Sequence, residues 1–111
     1  MERNFGKTQT YGVEQIRILT VSEKFGDYGD SVLRKLQALG LRVSLDNRSE
    51  KIGAKIREGR LDLVPYLAVV GAKEAENGSV ALRSRKEGEL GETLLDDVIQ
   101  RLGEEVKART L

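Results

Sequence analysis

The chain of 111 residues contains no cysteine, no histidine and no tryptophan, and it has a single proline. The lack of cysteine excludes disulfides, thiolate catalysis and zinc sites with sulfur ligands. The lack of histidine removes the most common general base near neutral pH. No apolar run approaches the length of a membrane span, and no signal peptide is visible. We therefore expect no membrane partner, few routes to catalysis and a cytoplasmic location.

The residues that are present are typical of a small folded domain. Hydrophobic residues make up 39% of the chain and charged residues 33%, which is more apolar than a disordered segment. The length allows one hydrophobic core and no second domain. The net charge is only +1, so any site for a nucleic acid must come from local clustering of basic residues.

Apolar patterns predict alternating strands and helices. Residues 16–21 are rich in β-branched side chains and predict a first strand. Apolar residues recur every three or four positions between residues 28 and 39, which predicts a helix. Residues 41–46 alternate strictly, as a strand at a sheet edge does, whereas residues 64–70 are almost continuously apolar and predict a central strand.

A hairpin is predicted after the central strand because Asn77-Gly78 is a strong signal for a two-residue turn. With that turn, Arg83 would lie diagonally beside Glu74 on one face of the sheet. The last helix is predicted from the apolar stripe between residues 95 and 106, with Thr93 as its N-cap. Residues 90–92 are a candidate for a short extra strand before it.

These elements predict an α/β domain with a mixed, mostly parallel sheet of about five strands and three helices. We expect residues 1–14 to form a flexible leader and residues 15–111 to form the domain.

Basic residues cluster in two places. The first group occupies a polar turn and a short helix predicted to begin near Ser49, where Ile52 and Ile56 would face the core. The second group would follow the hairpin and reach the same sheet edge. A solvated helix face would explain the first group without any function. The first consists of Arg48, Lys51, Lys55, Arg57 and Arg60, and the second of Arg83, Arg85 and Lys86.

An enzymatic alternative depends on Asp46, which ends a strand at a position that often carries functional residues. Asp46 could accept a phosphoryl group, as in a response-regulator receiver. Such receivers also need paired acidic residues after the first strand, and here that strand ends in Val21-Ser22-Glu23-Lys24. The residues therefore favour an ordinary aspartate in the turn before a helix.

Several segments carry a resemblance to a known family. They are Glu50-Lys51-Ile52-Gly53, Lys55-Ile56-Arg57-Glu58, Val64-Pro65-Tyr66, Gly71-Ala72-Lys73-Glu74 and Val80-Ala81-Leu82-Arg83-Ser84-Arg85. Together they resemble the C-terminal anticodon-binding domain of class II aminoacyl-tRNA synthetases, and within class IIa the threonyl-tRNA synthetases. The resemblance implies the mixed α/β fold of that domain and covers residues 15–111.

The resemblance also implies a partner, the anticodon loop of threonine tRNA, and no DNA. Family positions that contact the anticodon bases match Lys51, Glu74 and Arg83, and Ser49 stands where bacterial members often have asparagine. A carboxylate and an arginine fork suit the edges of guanine. Lys55 and Arg57 are expected on exposed sides of the helix, acting on backbone charge or on structure. The predicted RNA-binding residues are Arg48, Ser49, Lys51, Lys55, Arg57, Glu74, Arg83 and Arg85.

The resemblance finally implies what this chain lacks. The ATP-binding arginines and zinc ligands of the family belong to a catalytic domain that is not in these 111 residues. We therefore expect no catalysis by this chain alone and no cofactor or metal in this domain. The alternative is a free-standing accessory or protein-interaction module of the same fold.

Overall fold

A computed structural model describes residues 14–108. The predicted flexible leader, residues 1–14, therefore lies almost entirely outside the described residues. The strands are β1 (Ile16–Thr20), β2 (Val43–Asp46), β3 (Tyr66–Val70), β4 (Ser79–Ser84) and β5 (Gly88–Leu94). The helices are α1 (Gly26–Gln37), α2 (Ile52–Leu61), α3 (Ala72–Asn77) and α4 (Leu95–Lys107), and a 3-10 turn, Glu23–Phe25, precedes α1.

The five strands form one mixed sheet in the order β2-β1-β3-β4-β5. β1 pairs in parallel with β2 and β3, whereas β4 pairs antiparallel with β3 and β5. The alternating strand β2 lies at an edge and the apolar strand β3 lies at the centre, as predicted. The candidate extra strand at residues 90–92 is also confirmed, because it lies within β5.

The two faces of the sheet are covered unequally. α1 and α4 pack on one face, where their buried Val32, Leu36, Val98 and Leu102 meet side chains of all the inner strands. On the other face α2 covers a smaller cluster built on Leu19, Val64 and Leu67. β4 follows this division, since Val80 and Leu82 enter the larger core while Arg83 on the opposite face stays partly exposed. The face carrying α2 is therefore the more accessible one.

The hairpin predicted at Asn77-Gly78 is wrong. Residues 72–77 form the additional helix α3, and Gly78, with φ +65°, ends that helix in the left-handed region. A glycine after asparagine suits both a tight hairpin turn and a helix C-terminus, because both require positive φ. Arg83 consequently pairs with Leu67, not with Ala72, and the predicted diagonal with Glu74 does not exist.

Two predicted helix caps are also wrong. α2 begins at Ile52 after the N-cap Lys51, so Ser49 remains in the preceding turn. β5 continues through Thr93 to Leu94, which is the N-cap of α4 and caps it with no side-chain hydrogen bond. The extended strand leaves Thr93 paired with Val80, and its hydroxyl donates to the carbonyl oxygen of Gly91.

Candidate nucleic-acid interface

The turn between β2 and α2 presents polar side chains at the carboxyl end of β1. Ser49 and Lys51 line a shallow depression there together with Val21 and Ser22. Val21 is 47% exposed, which is unusual for a valine that follows a central strand. The Ser49 hydroxyl and the Lys51 ammonium are exposed and make no side-chain hydrogen bond within residues 14–108. These two groups are therefore available to a ligand.

Glu74 lies beside the same depression, on the other side of Val21. A Cβ added to Gly71 would lie 3.1 Å from a Val21 methyl group and 3.3 Å from Glu74 Oε1, so the backbone of Gly71 runs between these two side chains. Glu74 Oε1 accepts a hydrogen bond from the Gly71 N–H at 2.8 Å, which orients the carboxylate. Oε2 has no hydrogen-bond partner among the described residues and remains an acceptor. Ser49, Lys51, Glu74 and Val21 together are called the reading edge below.

Lys55 lies underneath this edge and is completely buried. Its ammonium donates to the Thr20 carbonyl oxygen at 2.9 Å, to the Asp46 carbonyl oxygen at 3.2 Å and to Thr20 Oγ1 at 3.4 Å. Those carbonyls end β1 and β2. The exposed position predicted for Lys55 is therefore wrong, because Lys55 lies on the buried face of α2 with Gly59, four residues farther along. Lys55 ties the two strand ends to α2.

The same network reaches the turn that carries Ser49. Thr20 Oγ1 donates to Asn47 Oδ1 at 2.7 Å, and Thr20 is fully buried. Gly26 packs directly on the Asn47 amide, since an added Cβ would come within 2.4 Å of Asn47 Nδ2. Close packing and hydrogen bonds thus hold the turn from both sides.

The guanidinium of Arg48 is engaged in hydrogen bonds within the protein. Its guanidinium donates to both oxygens of Asp46, at 2.9 and 2.8 Å, and to Glu58 Oε1 at 2.6 Å. Burial alone would raise the pKa of Asp46, but the hydrogen bonds from Arg48 outweigh that effect and lower it. The Asp46 side chain is only 10% exposed. A carboxylate enclosed in this way is not presented as a phosphoryl acceptor, so the receiver alternative has no support in the structure.

The other predicted RNA-binding residues lie away from the reading edge. Arg83 in β4 pairs with Leu67 in β3. Along β3, the distance from Leu67 to Gly71 is about 13 Å. Arg83 has a weak ion pair with Glu89 at 3.8 Å. Arg57 is exposed on α2, and Arg85 donates to the Leu63 carbonyl oxygen at 3.0 Å. None of these three arginines lines the depression beside Ser49 and Lys51.

Glu92 is a structural residue that the sequence did not indicate. It accepts hydrogen bonds from Ser79 Oγ at 2.6 Å and Asn77 Nδ2 at 2.8 Å, and it forms an ion pair with Lys73 at 3.2 Å. The hydrogen bonds from Ser79 and Asn77, with that from Lys73, lower the pKa of Glu92 to about 2. Glu92 thus fastens α3, which carries Glu74, to β4. Only the pairing of β4 with β5 brings these residues together.

Two kinds of feature were sought in the described part of the chain, a cluster of metal-binding side chains and a membrane-spanning helix. Between residues 14 and 108, no three Asp or Glu side chains are grouped so that they could hold a metal ion. None of the helices in that range has the length and apolar character that a bilayer crossing requires.

The fold agrees with what comparisons with known proteins find. Residues 15–105 match the family described as the anticodon binding domain, and the chain belongs to that family. Individual similar proteins narrow the comparison to one kind of enzyme. The chain is 47% identical over 97 residues to the threonine–tRNA ligase of Syntrophomonas wolfei, covering 87% of this chain and 15% of the relative. With that of Acetivibrio thermocellus the identity is 50% over 93 residues, covering 84% and 15%.

A solved structure gives the same result. The RNA binding domain of threonyl-tRNA synthetase from Cryptosporidium parvum superposes with a TM-score of 0.76 at 34% identity, covering 82% of this chain and 23% of that one. These findings confirm the predicted family and fold class. The chain spans about 15% of the length of the ligases that it matches.

Proposed function

We propose that this domain binds tRNA and reads the anticodon loop of threonine tRNA at the reading edge. One observation carries the proposal: exposed donors on Ser49 and Lys51 and the acceptor on Glu74 converge around the exposed side chain of Val21. RNA loops offer unstacked bases whose edges are accessible to such groups. The family to which the chain belongs and its threonine–tRNA ligase relatives support this partner.

Each group at the reading edge has a chemical role in this proposal. The second oxygen of Glu74 accepts from the amino and imino groups of guanine, which only that base presents together. Lys51 and Ser49 donate to carbonyl oxygens of a neighbouring base. The Ser49 hydroxyl reaches less far than the amide often found at this position in bacterial relatives. Val21 offers an apolar surface to the face of a base.

The chemistry of amino-acid attachment belongs, in this proposal, to a part of the longer protein outside these residues. The ATP and zinc sites expected of such a ligase would lie there as well. The small share of the relatives that this chain covers supports that division. A tRNA partner also implies a cytoplasmic location.

The test measures binding of two anticodon stem-loops, one with guanine and one with adenine at the central position. Glu74→Gln keeps an acceptor for the Gly71 N–H and replaces the second oxygen by an amide donor. We expect a loss of about 1–3 kcal/mol on the guanine loop and much less on the adenine loop. Glu76→Gln, an exposed glutamate of the same helix, is the matched control and should change neither.

Two results would count against the proposal. An equal loss on both loops would show that Glu74 does not read a base. Absence of binding by the unmodified chain to either loop would instead favour a protein-interaction module of the same fold.

A further inference from the structure

Gly71 lies between β3 and α3 and is the N-cap of that helix. Its backbone has φ −138° and ψ −160°, an extended conformation that alanine also adopts without strain. Positive φ therefore does not account for a glycine here, although it does for Gly78 at the other end of α3. The distinguishing property of position 71 is the space around it, because an added Cβ would meet two side chains of the reading edge.

Of these two side chains, Val21 has little freedom to move. The added Cβ would lie 3.1 Å from a Val21 methyl group and 3.4 Å from Val21 Cβ, which stays in place when the side chain rotates. The backbone of Val21 is also held, because its N–H donates to the Val70 carbonyl oxygen at 2.9 Å. Carbon atoms in ordinary contact lie about 3.5–4.0 Å apart. A methyl group at position 71 would therefore gain little room from Val21.

The helix that carries Glu74 is held as well. Just after α3, Ser79 is fully buried, and its carbonyl oxygen accepts from the Tyr28 hydroxyl at 2.7 Å. The Gly78 carbonyl oxygen accepts from the Leu95 N–H at 3.0 Å. These bonds join the end of α3 to α1 and α4, in addition to the contact with β5 described above. α3 as a whole is thus fixed against movement away from β3.

The carboxylate of Glu74 is the group that can move. The added Cβ would lie 3.3 Å from Glu74 Oε1, the same oxygen that accepts from the Gly71 N–H at 2.8 Å. Rotation of the Glu74 side chain relieves this contact but misaligns the hydrogen bond, and hydrogen bonds weaken steeply as alignment is lost. Oε2 turns together with Oε1. The direction of the free acceptor at the reading edge thus depends on the absence of a side chain at position 71.

We infer that Gly71 is a positioning residue for base recognition, because its lack of a side chain keeps Glu74 Oε1 on the Gly71 N–H and so directs Oε2 toward the edge of guanine. This inference rests on the proposed function and names a residue that acts through Glu74. A substitution at position 71 should therefore change the preference between bases more than the overall affinity for RNA.

The experiment compares Gly71→Ala, Glu74→Gln and the double variant with the unmodified 111-residue chain, using the same two anticodon stem-loops. We expect Gly71→Ala to reduce the preference for the guanine loop by about threefold to tenfold, because a misdirected acceptor loses part of its contact with that base. Affinity for the adenine loop should stay within about twofold. In the double variant the two effects should not add, because both substitutions act on the same acceptor.

Gly103→Ala is the matched control. Gly103 lies within α4, and a Cβ added there would meet no atom of another element within 4 Å in the described part of the chain. α4 packs on the face of the sheet opposite to α2. This variant should change neither the affinity for the loops nor the preference between them.

Amide hydrogen exchange gives a second readout that does not need RNA. The N–H of residue 71 should exchange faster in Gly71→Ala than in the unmodified chain, because its bond to the carboxylate is weakened. The Val21 N–H should stay protected by its bond to Val70, which also shows that the variant is folded. Unchanged protection of residue 71 would overturn the inference, and so would a loss of protection throughout the chain, since residue 71 would then act on folding as a whole.

The binding outcomes separate this inference from the proposed function. A selective loss for Glu74→Gln but not for Gly71→Ala would overturn the positioning role and leave anticodon reading intact. Equal weakening of both loops by Gly71→Ala, or effects that add in the double variant, would also overturn that role, because Gly71 would then act on something other than Glu74. Absence of a selective loss for Glu74→Gln would overturn both.

Discussion

The two ends of α2 are built in different ways. At its start, Lys55 joins the ends of β1 and β2, and Arg48 in the preceding turn is fixed by Asp46 and by Glu58 farther along the helix. Toward its end, Arg57 and Arg60 make no hydrogen bond with a carboxylate within residues 14–108, and Leu61 and Leu63 are 75% and 63% exposed. Reading a base requires donors and acceptors held in one geometry, whereas binding a phosphate requires mainly charge. Hydrogen bonds thus hold the side chains near the start of α2, whereas Arg57 and Arg60 toward its end have no carboxylate partner within residues 14–108.

The largest effect on stability is expected from a substitution of Lys55, near the start of α2. Lys55→Met matches the apolar part of the side chain and removes the ammonium, so the carbonyls of Thr20 and Asp46 lose a buried donor. We expect a decrease of about 2–4 kcal/mol in the free energy of unfolding, because buried acceptors left without partners are costly. Urea denaturation measures it. The variant should also lose discrimination between the two loops, because the turn carrying Ser49 is no longer held.

Lys51→Met is the matched variant, since Lys51 is exposed and lies one helical turn before Lys55. It should change stability by no more than about 0.5 kcal/mol and yet weaken RNA binding. If Lys55→Met were as stable as the unmodified chain, the ammonium would not be what orders this end of the molecule.

A smaller, pH-dependent effect on stability is expected from a substitution of Glu92, which holds α3, the helix that carries Glu74, against β4. Its pKa of about 2 in the folded chain lies below its ordinary value of 4.5. Glu92 therefore stabilises the fold above that ordinary value, and the contribution is lost as the pH falls from 4.5 toward 2. Glu92→Gln should be less stable at neutral pH and should lose less stability than the unmodified chain on acidification. Unfolding midpoints at neutral and acidic pH measure both. A pH dependence identical to that of the unmodified chain would refute this role of Glu92.

The smallest effect is expected at the end of α2. Leu63 has φ +58° and follows the C-cap Asp62, a position where glycine is usual. The Leu63 N–H donates to the Arg60 carbonyl and the Val64 N–H to the Gly59 carbonyl, which closes the helix. Leu63→Gly removes backbone strain at the expense of greater freedom in the unfolded chain, so stability should rise by at most about 1 kcal/mol.

Thermal unfolding measures the effect of Leu63→Gly. RNA affinity should stay the same, because Leu63 lies outside the reading edge. A clear loss of affinity would mean that the exposed leucine itself contacts RNA. The comparison between the start and the end of α2 would then have to be revised.

Much of the fold follows from local patterns. Strict alternation in residues 41–46 predicts the edge strand β2, and a continuous apolar run predicts the central strand β3, because burial on one or two faces leaves its period in the sequence. Asn77-Gly78 led to a wrong prediction of a hairpin, because the same dipeptide suits a tight turn and a helix C-terminus, and both place glycine at positive φ. The motifs around Lys51 and Glu74 were sufficient to predict the family.

What the sequence by itself determined is the family, the order of strands and helices apart from α3, and the candidate groups Ser49, Lys51 and Glu74, because periodicity and motif spacing are local properties of the chain. Tertiary structure alone decided which charges are available. Lys51 and Lys55 look alike in sequence, and only the meeting of β1, β2 and α2 buries one of them. Arg48 and Arg60 also look alike, yet Asp46 and Glu58 form ion pairs with the first, whereas the second has no carboxylate partner within residues 14–108. The burial of Lys55 depends on Thr20, 35 residues away in the chain, and that distance is set only when the sheet forms.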